Sequence, residues 1–153
     1  MSDIACACPL CETPGGPLIW QGRDLHVVRA QEDGFPAFYR VIWTAHVTEF
    51  SDLSSYERTI CMDTVATVEH VLRQRLMPAP VKINLAALGN MVPHLHWHVI
   101  ARYDWDSHYP APIWAESMRP RNLAREAQLQ AQLPDIDTAL VDALTIGATI
   151  RRI

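Results

Sequence analysis

The sequence predicts an α+β domain: a mostly antiparallel sheet of about five strands, one long central helix and a C-terminal helical tail. Three observations predict it. Short aromatic and β-branched segments fall in two groups, one on each side of the middle of the chain. Between them lies the longest stretch with helical periodicity, and the chain ends in a segment rich in Ala, Gln and Arg.

The elements follow in order. After a cysteine cluster at Cys6, Cys8 and Cys11, "ETPGGP" is turn material. "LIWQG" and "LHVVR" read as two short strands broken around Gly22 to Asp24, which makes a hairpin. "EDGFP" breaks the chain before "FYRVIWTAH", whose aromatic and β-branched residues favour a third strand. In "DLSSYERTICMDTVATVEHVLRQRLMP", Ser54 and Glu57 have capping-box spacing and Pro78 supplies the stop. Cys61, Val65, Val68, Leu72 and Leu76 step by four, three, four and four, a single apolar stripe that must pack on a sheet. "VKINLAAL" and "HLHWHVIAR", joined through "GNMVP", are the remaining strands. The tail from Arg119 holds a helix over "DIDTALVDALTIGA", begun by Asp135 or Asp137.

With 153 residues and 49% apolar composition, one domain with its own core is expected. The net charge is -4 and Lys82 is the sole lysine, so no basic surface is expected for a nucleic acid polymer. The opening "MSDIACACPLCETPGG" has neither the basic start nor the apolar stretch of a secretory signal. No apolar run reaches the roughly 18 residues a membrane span needs. The expectation is a soluble, cytoplasmic protein without a membrane partner. In a reducing compartment Cys6, Cys8, Cys11 and Cys61 are poor disulfide candidates, which turns attention to metal binding. "CPLC" lets Cys8 and Cys11 reach one ion from a single turn, but two thiolates are half a site. A redox pair is the competing use, and the strand-then-helix pattern it needs is missing around it.

The densest chemistry is "HLHWHVI", residues 94 to 100. On a strand His94, His96 and His98 share one face at roughly 7 Å per two-residue step, while Leu95, Trp97 and Val99 anchor the other. A solvated face with histidine by accident explains three such residues poorly. Two uses remain open from the residues alone. The row is a metal site, since imidazole is a common ligand. Alternatively, the middle imidazole is a nucleophile toward phosphorus, with its neighbours supplying protons and charge. Gly89 and Asn90 before the strand offer a loop free of bulk and an amide donor for a phosphate, and Asn84 on the preceding strand a second amide.

Residues 94 to 100 fill every position of His-φ-His-φ-His-φ-φ, with φ apolar, and so the chain resembles the histidine triad (HIT) family of nucleotide hydrolases and transferases. "RVIWTAHVTEFSDLS" and "INLAALGNMVPHLHWHVIAR" are similar to that family's histidine strand with helix entry and to its asparagine strand, glycine loop and triad strand. The resemblance covers about residues 5 to 115 and implies a HIT-like fold. It places the HIT domain with its N-terminal zinc segment at residues 1–118 and leaves 119–153 as a helical extension. By the family's pattern, His96 is the nucleophile that carries a nucleoside monophosphate, His98 contacts the same phosphate, and His94 sets the site's position and tautomer. Asn84, Gly89, Asn90 and His98 would bind the nucleotide. Cys8, Cys11, His46 and His94 would hold a structural zinc ion, with Cys6 a spare thiol. The implied activity is hydrolysis at the α-phosphate of dinucleoside polyphosphates or nucleoside phosphoramidates, as in bacterial diadenosine polyphosphate hydrolase-like members, by a homodimer. Two alternatives stand beside it: a nucleotide-binding module with little turnover, and a metal-dependent hydrolase that uses all three triad histidines as ligands.

The chain departs from the family pattern at four places. Asn90 stands where many members have glutamine, and Met91 where they have a small hydroxyl residue. "RAQED" lacks the usual ribose-binding acid unless Glu32 takes that role, and Ala101-Arg102 replaces Pro-Arg. Trp20, Trp43, Trp97 and Trp114 are expected in the core rather than around a base, with Trp43 and Trp114 also placed to reach a pocket rim or dimer contact. His26, His70 and His108 are expected at the surface, although the loop carrying His108 could approach the site.

Overall fold

The computed structural model describes residues 7–151; Cys6 lies outside them. Its five strands are β1 (Leu18–Gln21), β2 (Leu25–Arg29), β3 (Phe38–Trp43), β4 (Lys82–Ala86) and β5 (His96–Arg102). They form one sheet in the order β1-β2-β3-β5-β4, and each of its four pairings is antiparallel. The helices are α1 (Pro9–Glu12), α2 (Ser55–Arg75), α3 (Leu123–Gln130) and α4 (Leu133–Ile150).

Helix α2 starts as its sequence dictates. The Ser54 side chain accepts from the Glu57 amide while the Glu57 carboxylate accepts from the Ser54 amide, so two otherwise orphaned donors are satisfied. The chain leaves the helix at Leu76, two residues before Pro78. All five stripe residues, from Cys61 to Leu76, are buried. They pack on the sheet face that carries Val27, Val41 and Val99. The tail adds to the same core: α4 buries Leu133, Ile136, Leu140 and Leu144 against it. Asp137 of α4 accepts from Arg29 at 2.5 Å and from the Tyr39 hydroxyl at 2.8 Å, which ties the helix to β2 and β3.

Several boundaries differ from the sequence expectation. Strand β3 ends at Trp43 rather than at His46, and β5 begins at His96, two residues after His94. Pro93 has no amide to donate to a ladder, and the His94 amide is spent on a tight turn to the Val92 carbonyl at 2.8 Å. The last helix starts at Leu133, ahead of both aspartates, with Pro134 in its first turn. Helix α3 is an extra element, opened by Asn122, whose side chain accepts from the Arg125 amide.

Strand alternation divides the sheet chemically. The face under α2 and α4 is apolar. Its opposite face carries His26, Phe38, Arg40, Ile42, His96, His98 and Ile100, and the β3–β5 register sets Arg40 across from His98 and Ile42 across from His96. Part of it is covered by a smaller apolar cluster of Ala30, Phe35, Phe38, Ile100 and Ile113.

Candidate functional site

Two groups of side chains meet at the N-terminal end of β5. The first is a cluster of four possible metal ligands. Cys8 caps the short helix α1, whose first position is Pro9, and the Cys11 amide donates to the Cys8 carbonyl at 2.9 Å. This single turn brings both thiols toward the histidines. The ligand atoms of Cys8, Cys11, His46 and His94 all lie within 4.8 Å of one another, so this cluster could hold a metal ion. Cys8 Sγ and Cys11 Sγ stand 3.5 and 3.6 Å from His94 Nδ1, and Cys11 Sγ stands 3.3 Å from His46 Nδ1. Cys8 and His94 are buried, while Cys11 and His46 face outward.

His94 is fixed by its other nitrogen. Nε2 lies 2.6 Å from the Trp43 carbonyl, and a carbonyl only accepts, so Nε2 carries the proton and Nδ1 presents a lone pair to the thiols. The expected row of three imidazoles is therefore split. His94 turns to the cysteines, whereas His96 and His98 pack edge to face with ring centroids 4.9 Å apart. Among the described residues, neither His96 nor His98 belongs to a metal-ligand group.

His96 repeats the tautomer argument. Its Nδ1 lies 2.6 Å from the His94 carbonyl and must donate, so Nε2 is left with an available lone pair. Burial lowers the His96 pKa first; the hydrogen bond to His94 opposes this, and Arg40 and His94 add to the lowering. His98 is brought down to about 4 by burial, then by His96 and Arg40. Both imidazoles are thus neutral at neutral pH, the state in which His96 Nε2 can attack. The His98 ring is boxed in by Phe38 at 5.4 Å and Trp114 at 5.1 Å, and its Nδ1 is buried without a hydrogen-bond partner.

Asn84 lies one strand further on. Its Oδ1 accepts from Arg102 Nη1 at 2.7 Å, which leaves its amide hydrogens free to donate. Arg102 and Asp106 form a buried two-pronged pair, Nε to Oδ2 at 2.8 Å and Nη2 to Oδ1 at 3.0 Å. Burial by itself would raise the Asp106 pKa, but hydrogen bonds from Arg102 and from the amides of His108 and Tyr103 hold it below its usual range. The pair anchors the segment that brings Trp114 over His98. Gly89, at φ +71, takes a left-handed turn that favours glycine, in the loop between β4 and β5. The neighbouring Asn90 is exposed, and Met91 is 94% exposed.

Two surface expectations are corrected, and of the two places open to Trp114, core or rim, it takes the exposed one. His26 is buried: its Nε2–H donates to the Pro14 carbonyl at 3.0 Å, and Nδ1 lies 3.5 Å from Thr44 Oγ1. His108 is half-buried, with Nδ1 2.8 Å from Ser107 Oγ, while His70 is exposed as expected. Trp43 is in the core and Trp20 and Trp97 pack on its edge, but Trp114 is 51% exposed and belongs to the histidine face. Arg40 was not legible as a site residue. A lone charge inside the aromatic and β-branched "FYRVIW" was its one signal, and only the β3–β5 register shows that it faces His98.

Among the described residues, no helix is long and apolar enough to cross a membrane. The family model described as "HIT domain" matches residues 18–105. No curated protein matches the sequence. Among solved structures, a histidine triad protein from Bradyrhizobium japonicum is 26% identical with a TM-score of 0.64, over 83% of this chain and 89% of that one. A histidine triad protein from Marinobacter aquaeolei VT8 is 23% identical with a TM-score of 0.64, over 84% and 93%. A zinc-bound histidine triad family protein from Mycobacterium smegmatis is 17% identical with a TM-score of 0.52, over 87% and 97%.

Proposed function

The chain belongs to the histidine triad (HIT) family, and from that premise we propose that it hydrolyses nucleotides at the α-phosphate through a covalent intermediate on His96. The observation that carries this reading is the hydrogen bond from His96 Nδ1 to the His94 carbonyl, which leaves Nε2 as a lone-pair nucleophile. In the first step the Nε2 lone pair forms a bond to the α-phosphorus. The bond from phosphorus to the bridging oxygen of a polyphosphate, or to the nitrogen of a phosphoramidate, breaks and takes its electron pair to the leaving group, and the nitrogen leaving group takes up a proton from solvent as it departs. In the second step water attacks the same phosphorus and gives up a proton to solvent. The P–N bond to His96 breaks, Nε2 recovers its lone pair, and a nucleoside monophosphate leaves. His98 is proposed to contact the phosphoryl oxygens through Nε2–H, and Asn84, Gly89 and Asn90 to line the nucleotide's path.

We further propose that Cys8, Cys11, His46 and His94 hold a structural zinc ion. Zinc bonds of about 2.3 Å to sulfur and about 2.0 to 2.1 Å to nitrogen place tetrahedral S and N ligands about 3.6 Å apart. The sulfur–nitrogen separations of 3.3, 3.5 and 3.6 Å fit that spacing. Four protein ligands close the site, so its contribution is to brace the His94 backbone whose carbonyl holds His96. Zinc bound to the Mycobacterium smegmatis relative supports the reading. Thiolate ligands favour a reducing compartment, hence a cytoplasmic location.

The test is AMP release from diadenosine tetraphosphate and from adenosine phosphoramidate, with the intact protein and His96→Ala compared at matched folding. Turnover by the intact protein and none by the variant supports the reading, and the better substrate names the class. Equal turnover by both refutes it.

A further inference from the structure

Arg40 has no assigned part in the chemistry above, yet the fold invests in placing it. It sits in β3 directly across from His98, on the sheet face that carries both His96 and His98. Its guanidinium lies over the Phe38 ring, 5.1 Å from the centroid, and Phe38 also borders the His98 ring. Arg40 Nε is buried and has no hydrogen-bond partner. Other arginines behave differently: Arg29 pairs with Asp137, Arg102 with Asp106 and Arg121 with Glu126. Among the described residues no carboxylate forms an ion pair with Arg40; exposed Glu32 is the acid whose field reaches it. A buried guanidinium donor left unpaired costs free energy unless a ligand supplies the acceptor.

The electrostatics of the pocket point the same way. His98, directly across from Arg40, is neutral at neutral pH, so it offers no fixed positive charge to an incoming phosphate. Arg102 is neutralised by Asp106. Arg40 is the cation whose field is felt at both histidines. Resting on the reading of this face as a nucleotide site, we propose that Arg40 is a substrate-binding residue whose guanidinium engages phosphate oxygens and selects phosphorylated nucleosides over uncharged ones. Phosphate is the acceptor that suits it, because the guanidinium fork matches two phosphoryl oxygens and stays charged at every working pH.

The experiment measures the dissociation constants of AMP and adenosine by calorimetry for the intact protein, Arg40→Met and Arg40→Lys, with melting temperature and metal content checked for each. Methionine keeps most of the aliphatic length and removes the guanidinium that lies over Phe38. The proposal expects the intact protein to prefer AMP, Arg40→Met to lose roughly tenfold to a hundredfold of that preference, and Arg40→Lys to recover part of it. Adenosine affinity should be unchanged. If Arg40→Met binds AMP as well as the intact protein, or loses AMP and adenosine equally, the phosphate role is overturned while the nucleotide site stands. If the intact protein binds neither compound, the nucleotide reading itself falls and takes this assignment with it.

Discussion

At the scale of single residues, the site depends on which nitrogen of each histidine carries a proton. The Trp43 and His94 carbonyls decide this for His94 and His96, because each must receive an N–H. Removing the proposed nucleophile should be far more damaging than disturbing its neighbours: His96→Ala is expected to lower turnover by more than roughly a thousandfold in steady-state assays. The pH profile tests the neutral pair. With the folded-state pKa of His98 down at about 4 and that of His96 also lowered, kcat/KM should stay level as pH falls through 6.5 and decline only further into acid. A decline centred at or above the ordinary histidine value would contradict the buried, uncharged pocket. The residue pattern made His94, His96 and His98 legible, since period-two histidines among apolar residues have few other uses. It did not reveal that His94 turns away from the other two, because that depends on the Pro93 turn and on contacts to a segment more than eighty positions earlier in the chain.

At the scale of elements, α1 and the start of β5 are expected to act as one unit. Cys11→Ser should abolish stoichiometric zinc binding and lower Tm, whereas His98→Ala should keep the metal; elemental analysis with thermal melting checks both. Metal lost from His98→Ala and kept by Cys11→Ser would instead favour an ion on the triad. The segment after β5 hangs on the Arg102–Asp106 pair, 1% and 3% exposed. Asp106→Asn leaves a buried guanidinium without its counter-charge, so chemical denaturation should show a loss of about 3 kcal/mol or more. Helix α2 was readable to its first residue because capping is local chemistry. Helix α3 was not: its burial of Leu129 depends on the core surface beside α2, and "RNLAREAQLQ" carries no apolar stripe strong enough to announce that surface.

At the scale of the whole molecule, one core joins the sheet, α2 and the tail, so the tail should be needed for stability. Leu140 is fully buried on α4, and Leu140→Ala is expected to cost about 2 to 5 kcal/mol in unfolding free energy. An unchanged denaturation midpoint would show the tail to be dispensable. The fold class was legible because strand, helix and strand periodicities succeed one another clearly. The order of strands was not, since β5 inserts between β3 and β4 and no local pattern encodes that choice. The homodimer expected by resemblance remains a proposal. Its proposed site is edge strand β4, which carries exposed Leu85 and is flanked by exposed Val81 and Leu88, and light scattering at twice the chain mass would support it. The proposed reaction consists of two successive displacements at phosphorus, with His96 carrying the nucleotide between them. It is tested most directly by the stereochemical course of hydrolysis of a nucleotide made chiral at the α-phosphorus with sulfur and heavy oxygen. Two in-line displacements predict net retention of configuration; net inversion would mean that water attacks the substrate directly and would contradict the covalent role of His96.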